Sequence, residues 1–73
     1  MNKYDWSNVP KEVKWIATDE DGVSNGFIDK PTVFDEDMWA IDENYDAIVL
    51  FSGVFQGNWQ DSLEERPNDP TTD

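Results

Sequence analysis

Apolar residues concentrate in one unbroken run, Ala47-Ile48-Val49-Leu50-Phe51, resumed after Ser52-Gly53 by Val54-Phe55. β-Branched and aromatic residues at this density suit a strand better than a helix. The run has no polar alternation, so both faces should be covered, as in the central strand of a small sheet. Left open, it would be an aggregation-prone edge.

Around it the pattern predicts further strands. Tyr4 to Pro10 reads as an extended lead-in, and Pro10 to Val13 as one turn. Val13–Thr18 is expected as the first strand, with Val13, Trp15 and Ala17 on one face and Ile16 on the other. Asp19-Glu20-Asp21-Gly22 has the Asp-first, Gly-fourth pattern of a type I turn. Val23–Ile28 should return as a second strand, with Gly26 at a bulge. Asn25-Gly26 is a competing hairpin signal, which leaves that register open. Thr32–Phe34 is a short strand or a pinned loop. Met38–Ile41 should form a hairpin with Ala47–Phe51 across the acidic loop 42–46. Val54–Gln56 reads as a short strand. Asp61 and Glu64 have capping-box spacing, which predicts a helical turn ending before Pro67. The expected fold is mainly β, α+β at the margin: an antiparallel sheet of about four strands with short helical turns near the ends. Residues 1–66 should form one small domain, and 67–73 a disordered acidic tail.

Composition narrows the function classes. With 73 residues the core is thin, and four Trp and four Phe supply much of its area. There is no Cys and no His. That removes disulfides, thiolate metal sites, the commonest general base and the commonest metal ligand. Neither a signal-peptide pattern nor a bilayer-length apolar run is present, so a cytoplasmic protein is expected. The expectation is a protein that is not an enzyme and has no cofactor and no metal site.

Charge changes the picture most. Seventeen acids against five bases give a net charge of −12, which opposes compaction and argues against direct contact with nucleic acid or an anionic membrane. No Lys or Arg occurs from Pro31 to Glu65. That stretch holds two acidic clusters, Asp35-Glu36-Asp37 and Asp42-Glu43 with Asp46, on either side of Met38–Ile41. A four-residue strand is only about 13 Å long, so these six carboxylates are expected along one edge. Duplex DNA carries one charge per about 1.7 Å of axis, and such an array can stand in for phosphates on a basic protein. The plainer reading is a solvated face that discourages edge pairing. Trp39, between the clusters, is the candidate exposed anchor; packing against Phe51 is its structural alternative.

Asp5-Trp6-Ser7 with Pro10, and Trp59 followed by Ser62-Leu63-Glu64 and Arg66-Pro67, together resemble a group of small, mostly uncharacterised proteins of tailed bacteriophages and prophages. Trp15 and Asp19-Glu20-Asp21-Gly22 fit the same pattern. The resemblance implies expression inside an infected bacterium and brings no catalytic residues. The expected function is then a phage-encoded acidic binding protein, a DNA mimic that inhibits a host nucleic-acid-handling or defence enzyme. Asp35, Glu36, Asp37, Trp39, Asp42, Glu43 and Asp46 would carry the binding. The alternatives are a homo-oligomeric or assembly protein of the phage, or an antitoxin-like partner of a basic protein.

Overall fold

The computed structural model describes residues 3–41 and 47–67. Six strands form in chain order: β1 (Trp15–Thr18), β2 (Val23–Phe27), β3 (Thr32–Phe34), β4 (Met38–Ala40), β5 (Ile48–Ser52) and β6 (Glu64–Glu65). A 3₁₀ turn covers Trp59–Asp61. The strands make an antiparallel sheet in the order β5-β2-β1-β6 and a separate antiparallel pair, β3-β4. The fold is therefore mainly β.

The centre of the sheet is the β1–β2 hairpin, not the apolar run. Asp19-Glu20-Asp21-Gly22 closes it: Gly22 donates its N–H to Asp19 O at 3.0 Å, and Asp19 donates to Val23 O at 2.9 Å. Gly22 has φ +89°, a conformation that costs glycine nothing. A short closed loop of this kind loses little entropy and sets the register Thr18↔Ser24 through Trp15↔Phe27. Both faces of β1 are covered. Ile16 joins Tyr4, Val9 and Val13 on one side, backed by Trp6, Leu50, Phe51 and Phe55. Ala17 joins Phe27 and Trp39 on the other, backed by Trp15, Ile41, Trp59 and Leu63. Val13 thus sides with Ile16, contrary to the alternation. Its N–H is turned back onto Pro10 O, so it precedes the strand rather than belonging to it.

The Ala47–Phe51 segment is a strand, but β5 lies at the sheet's edge and pairs with β2. The expected hairpin with Met38–Ile41 does not form; β4 pairs with β3 instead. The shorter connection wins, because β3 and β4 are joined by a tight turn with Asp35 and Glu36 at its centre. Ser24 pairs Phe51 and Asn25 pairs Val49, so the extra residue is Leu50 on β5 and not Gly26 on β2. Gly26 is required for another reason. A Cβ there would lie 2.8 Å from Val13 Cγ1 and 2.9 Å from Leu50 Cδ1.

Other expectations also change. The lead-in is not extended: Val9 donates to Trp6 O in a turn. Val54–Gln56 is not a strand. The expected helical turn from Asp61 is replaced by the 3₁₀ turn, which starts two residues earlier. Asn58 caps it, its side chain accepting from Gln60 N. Glu64 is then free to enter β6. Apart from Pro67, the expected tail lies outside the described residues.

A chain of hydroxyls crosses the interior. Tyr4 Oη meets Thr18 Oγ1 at 2.7 Å and donates to Ser62 O; Thr18 Oγ1 meets Ser24 Oγ at 2.7 Å. Ser62 Oγ accepts from Thr18 N and donates to Thr18 O. No buried side-chain polar atom among the described residues lacks a partner, which is what makes so polar a core tolerable.

Candidate functional site

Two acidic turns meet at one end of the molecule. The first is the β1–β2 loop, carrying Asp19, Glu20 and Asp21. The second connects β3 to β4 and carries Asp35, Glu36 and Asp37. In it Asp37 donates to Phe34 O at 3.4 Å, and both central residues have positive φ, 59° at Asp35 and 63° at Glu36. These are the signs of a type I′ turn, the form that fits the twist of a β-hairpin. Glycine and Asn favour those positions; a Glu there is strained by about 1–2 kcal/mol. The turns are tied together by a backbone bond, Glu20 N to Asp37 O at 3.1 Å.

Asp19 locks this junction from within. Its Oδ1 accepts from Trp39 N at 2.8 Å, and its Oδ2 accepts from Asn25 Nδ2 at 2.9 Å. One half-buried carboxylate therefore joins the main sheet to the β3–β4 pair. Burial raises its pKa above the ordinary value; the Asp21 and Asp37 charges push the same way, while the Trp39 N–H and the Asn25 amide pull it back. Asp19, Glu20, Asp21, Asp37 and Met38 line an open cleft of about 280 Å³. Among the described residues no three acids converge as a metal site would need.

Three basic side chains are occupied elsewhere. Lys3 Nζ donates to Asp61 O and Leu63 O. Arg66 donates to the carbonyls of Val9, Pro10 and Val13 and lies over the Trp6 ring at 4.9 Å. Lys30 lies over Trp15 at 5.7 Å. Three of the five basic residues thus bind carbonyls or rings, and the acidic end is left without local neutralisation from them.

Of the residues singled out from sequence, Asp35, Glu36 and Asp37 are exposed at this end. Asp42, Glu43 and Asp46 lie outside the described residues, so the array expected along β4 rests on its first half. Trp39 is not an exposed anchor. It is only 7 % exposed and packs with Ala17 and Phe27. Its ring meets Trp59 edge-on at 6.4 Å, rather than Phe51. Its bearing on the site is through its backbone N–H, which holds Asp19. The sequence reading missed Asp19, Glu20 and Asp21 as neighbours of 35–37. Both clusters sit at hairpin turns, but nothing in their spacing says that the turns adjoin.

The residues that carry the phage resemblance hold the chain's two ends together. Trp6 Nε1 donates to Glu64 Oε1 at 2.7 Å, and Lys3 N donates to Glu64 Oε2. Ser62 is fully buried, Leu63 and Trp59 back the second core, and Arg66 clamps the 9–13 turn. In this chain these terminal parts of the pattern maintain the fold, whereas its Asp19-Glu20-Asp21-Gly22 part forms one of the two acidic turns. Comparison with known proteins finds no matching family model, no similar curated protein and no similar solved structure.

Proposed function

We propose that this chain is an acidic binding protein whose joined turns occupy the nucleic-acid groove of a basic protein. Its setting would be the cytoplasm of an infected bacterium, where a phage-encoded inhibitor meets a host nucleic-acid-handling or defence enzyme. The observation that carries the reading is the Glu20–Asp37 bond, which joins Asp19–Asp21 and Asp35–Asp37 into one end. Joining the two backbones holds the acidic turns side by side before binding, which lowers the ordering cost of an encounter. Asp42, Glu43 and Asp46 belong to the proposed surface by sequence proximity. Like-charged neighbours about 6 Å apart in water repel by roughly 0.7 kcal/mol per pair, a cost that a cationic groove would relieve.

The test is kinetic. The chain is used to capture a basic protein from a bacterial lysate, and association is measured for the native chain and for Asp35→Asn/Glu36→Gln/Asp37→Asn. Charges at a rim act mainly on association rate and its salt dependence. The triple variant should therefore associate more slowly, with a shallower salt dependence, while melting no lower than the native chain. Unchanged association by a folded triple variant would exclude the acidic end from the interface.

A further inference from the structure

Asn25-Gly26, a hairpin signal in the sequence, lies inside β2. Of the Asn residues in the chain, only Asn25 is followed by Gly. Such a pair is labile, because a following residue without a Cβ lets its nitrogen reach the Asn side-chain carbonyl carbon. Packing fixes both residues. Asn25 is 8 % exposed and donates to Asp19 Oδ2 at 2.9 Å, and a Cβ at Gly26 would strike Val13 and Leu50. Two printed bonds of the ladders show what guards the pair: Asp19 donates to Val23 O, and Gly53 donates to Gly22 O. In antiparallel strands bonded and non-bonded pairs alternate. Carried along the two registers, the alternation turns the Asn25 backbone toward Ala17 in β1 and the Gly26 backbone toward Ile48 in β5. Among the described residues β5 is the outermost strand on that side, and its pairing is irregular between Ser24 and Asn25. An edge of this kind opens before the rest of a sheet.

We propose that Asn25 is a deamidation site gated by β5, and that its conversion breaks the junction between the main sheet and the β3–β4 pair. While β2 is extended and paired, the Gly26 nitrogen is held along the strand, away from the attack geometry at Asn25 Cγ. When β5 frays, Gly26 N bonds to Asn25 Cγ, the Cγ–Nδ2 bond breaks, and ammonia leaves with the Gly26 amide proton. Water then opens the cyclic imide at one carbonyl or the other, giving Asp or its β-linked isomer at position 25. The Asp product sets a second carboxylate where the amide donated, 2.9 Å from Asp19 Oδ2. Two carboxylates this close resist ionising together, so the bridge that holds Asp19 is lost. The β-linked isomer also lengthens the backbone and disturbs the β2 register. The site gives the folded chain a limited life, and it stands whether or not the groove reading does.

The test incubates the native chain in weakly alkaline buffer, folded and in urea, and follows it by peptide mapping. Deamidation raises the mass of the peptide that holds Asn25, whereas isomerisation at Asp21-Gly22 leaves mass unchanged. The folded chain should convert at least about tenfold more slowly than the unfolded one, since only opened molecules react. Phe51→Ala removes the ring stacked on Tyr4 and loosens β5. It should convert faster than Leu63→Ala, each held equally far below its own melting temperature. Asn25→Asp, the product made directly, should lower the melting temperature at neutral pH. Adding Asp19→Asn to it exchanges donor and acceptor across the same contact and should recover most of the loss. Equal rates in the folded and unfolded chain, or a Phe51→Ala chain no faster than Leu63→Ala, overturn the gate. No conversion at Asn25 in urea overturns the site. A double variant that melts no higher than Asn25→Asp alone overturns the effect on the junction, and this comparison decides the matter even if Asn25→Asp does not fold.

Discussion

Replacing Asp19 by Ala separates what this carboxylate contributes to the junction from what its charge costs. The substitution leaves the Trp39 N–H and the Asn25 amide without their acceptor, and both residues are buried. Each unsatisfied buried donor costs about 1–3 kcal/mol. Relief of burial and of repulsion from Asp21 and Asp37 offsets part of this, leaving a net loss of about 2 kcal/mol. In a domain of this size that lowers the melting temperature by roughly 8–16 °C. Asp19→Asn keeps an oxygen toward Trp39 N, and the Asn25 amide can rotate to complement it, so its loss should stay within about 1 kcal/mol. The two variants also differ from the native chain in pH response. The folded pKa of Asp19 is raised above 3.8, so the folded state favours the protonated form. Ionisation of Asp19 therefore works against folding above the folded pKa, and that penalty disappears as pH falls through it. The native chain should gain stability by this route as pH falls through the folded pKa toward 3.8. Both variants should lack that share of the gain. Asp5 acts in the opposite sense at lower pH, because its bonds to Ser7 hold its pKa below 3.8; its contribution is lost as pH falls through that lowered value. Thermal unfolding followed by tryptophan fluorescence at several pH values is the assay. An Ala variant that melts with the native chain, or variants whose acid gain matches it in full, would refute the bridging role.

Three further outcomes follow from particular contacts. Gly26→Ala should cost about 1–3 kcal/mol through overpacking, since the new methyl meets Val13 and Leu50; adding Val13→Ala should recover part of the loss in a double-mutant cycle. Glu36→Gly should stabilise by about 1 kcal/mol in denaturant unfolding, because it relieves a positive φ of 63°, and a loss of stability would show that the turn has another form. Moderate salt should raise the melting temperature, since it screens self-repulsion over about 10 Å at 0.1 M; a flat response would mean that the charges are compensated locally.

Much of the local structure was legible in the sequence, and most of the pairing was not. Asp19 to Gly22 announces its turn because an Asp at the first position and a glycine at the fourth are local requirements. β1, β2 and β4 each fall within a segment that reads as a strand, and β5 overlaps one, running one residue further to Ser52. The apolarity of Ala47–Phe51 reports a preference for extended structure and burial, but not which strand will lie beside it. Its inner residues, Leu50 and Phe51, pack against the core around Tyr4, with Phe51 stacked on the Tyr4 ring, while Val49 faces out, and no local pattern distinguishes these. The polar core was hidden for a different reason. Thr18, Ser24 and Ser62 read as surface residues until their mutual bonds are seen. Asn58 was a readable cap signal, masked by the capping-box spacing of Asp61 and Glu64. At the site, Asp35–Asp37 were legible as exposed acids. Their union with Asp19–Asp21 depends on one backbone bond between residues far apart in the chain.

The most direct measurement is a competition titration with labelled duplex DNA, the captured basic protein and this chain. If the joined acidic turns occupy the groove, added chain should displace the DNA completely, with displacement weakened by salt and by the Asp35–Asp37 amide variant. A ternary complex, in which DNA and this chain bind the same protein with no mutual displacement, would contradict the account.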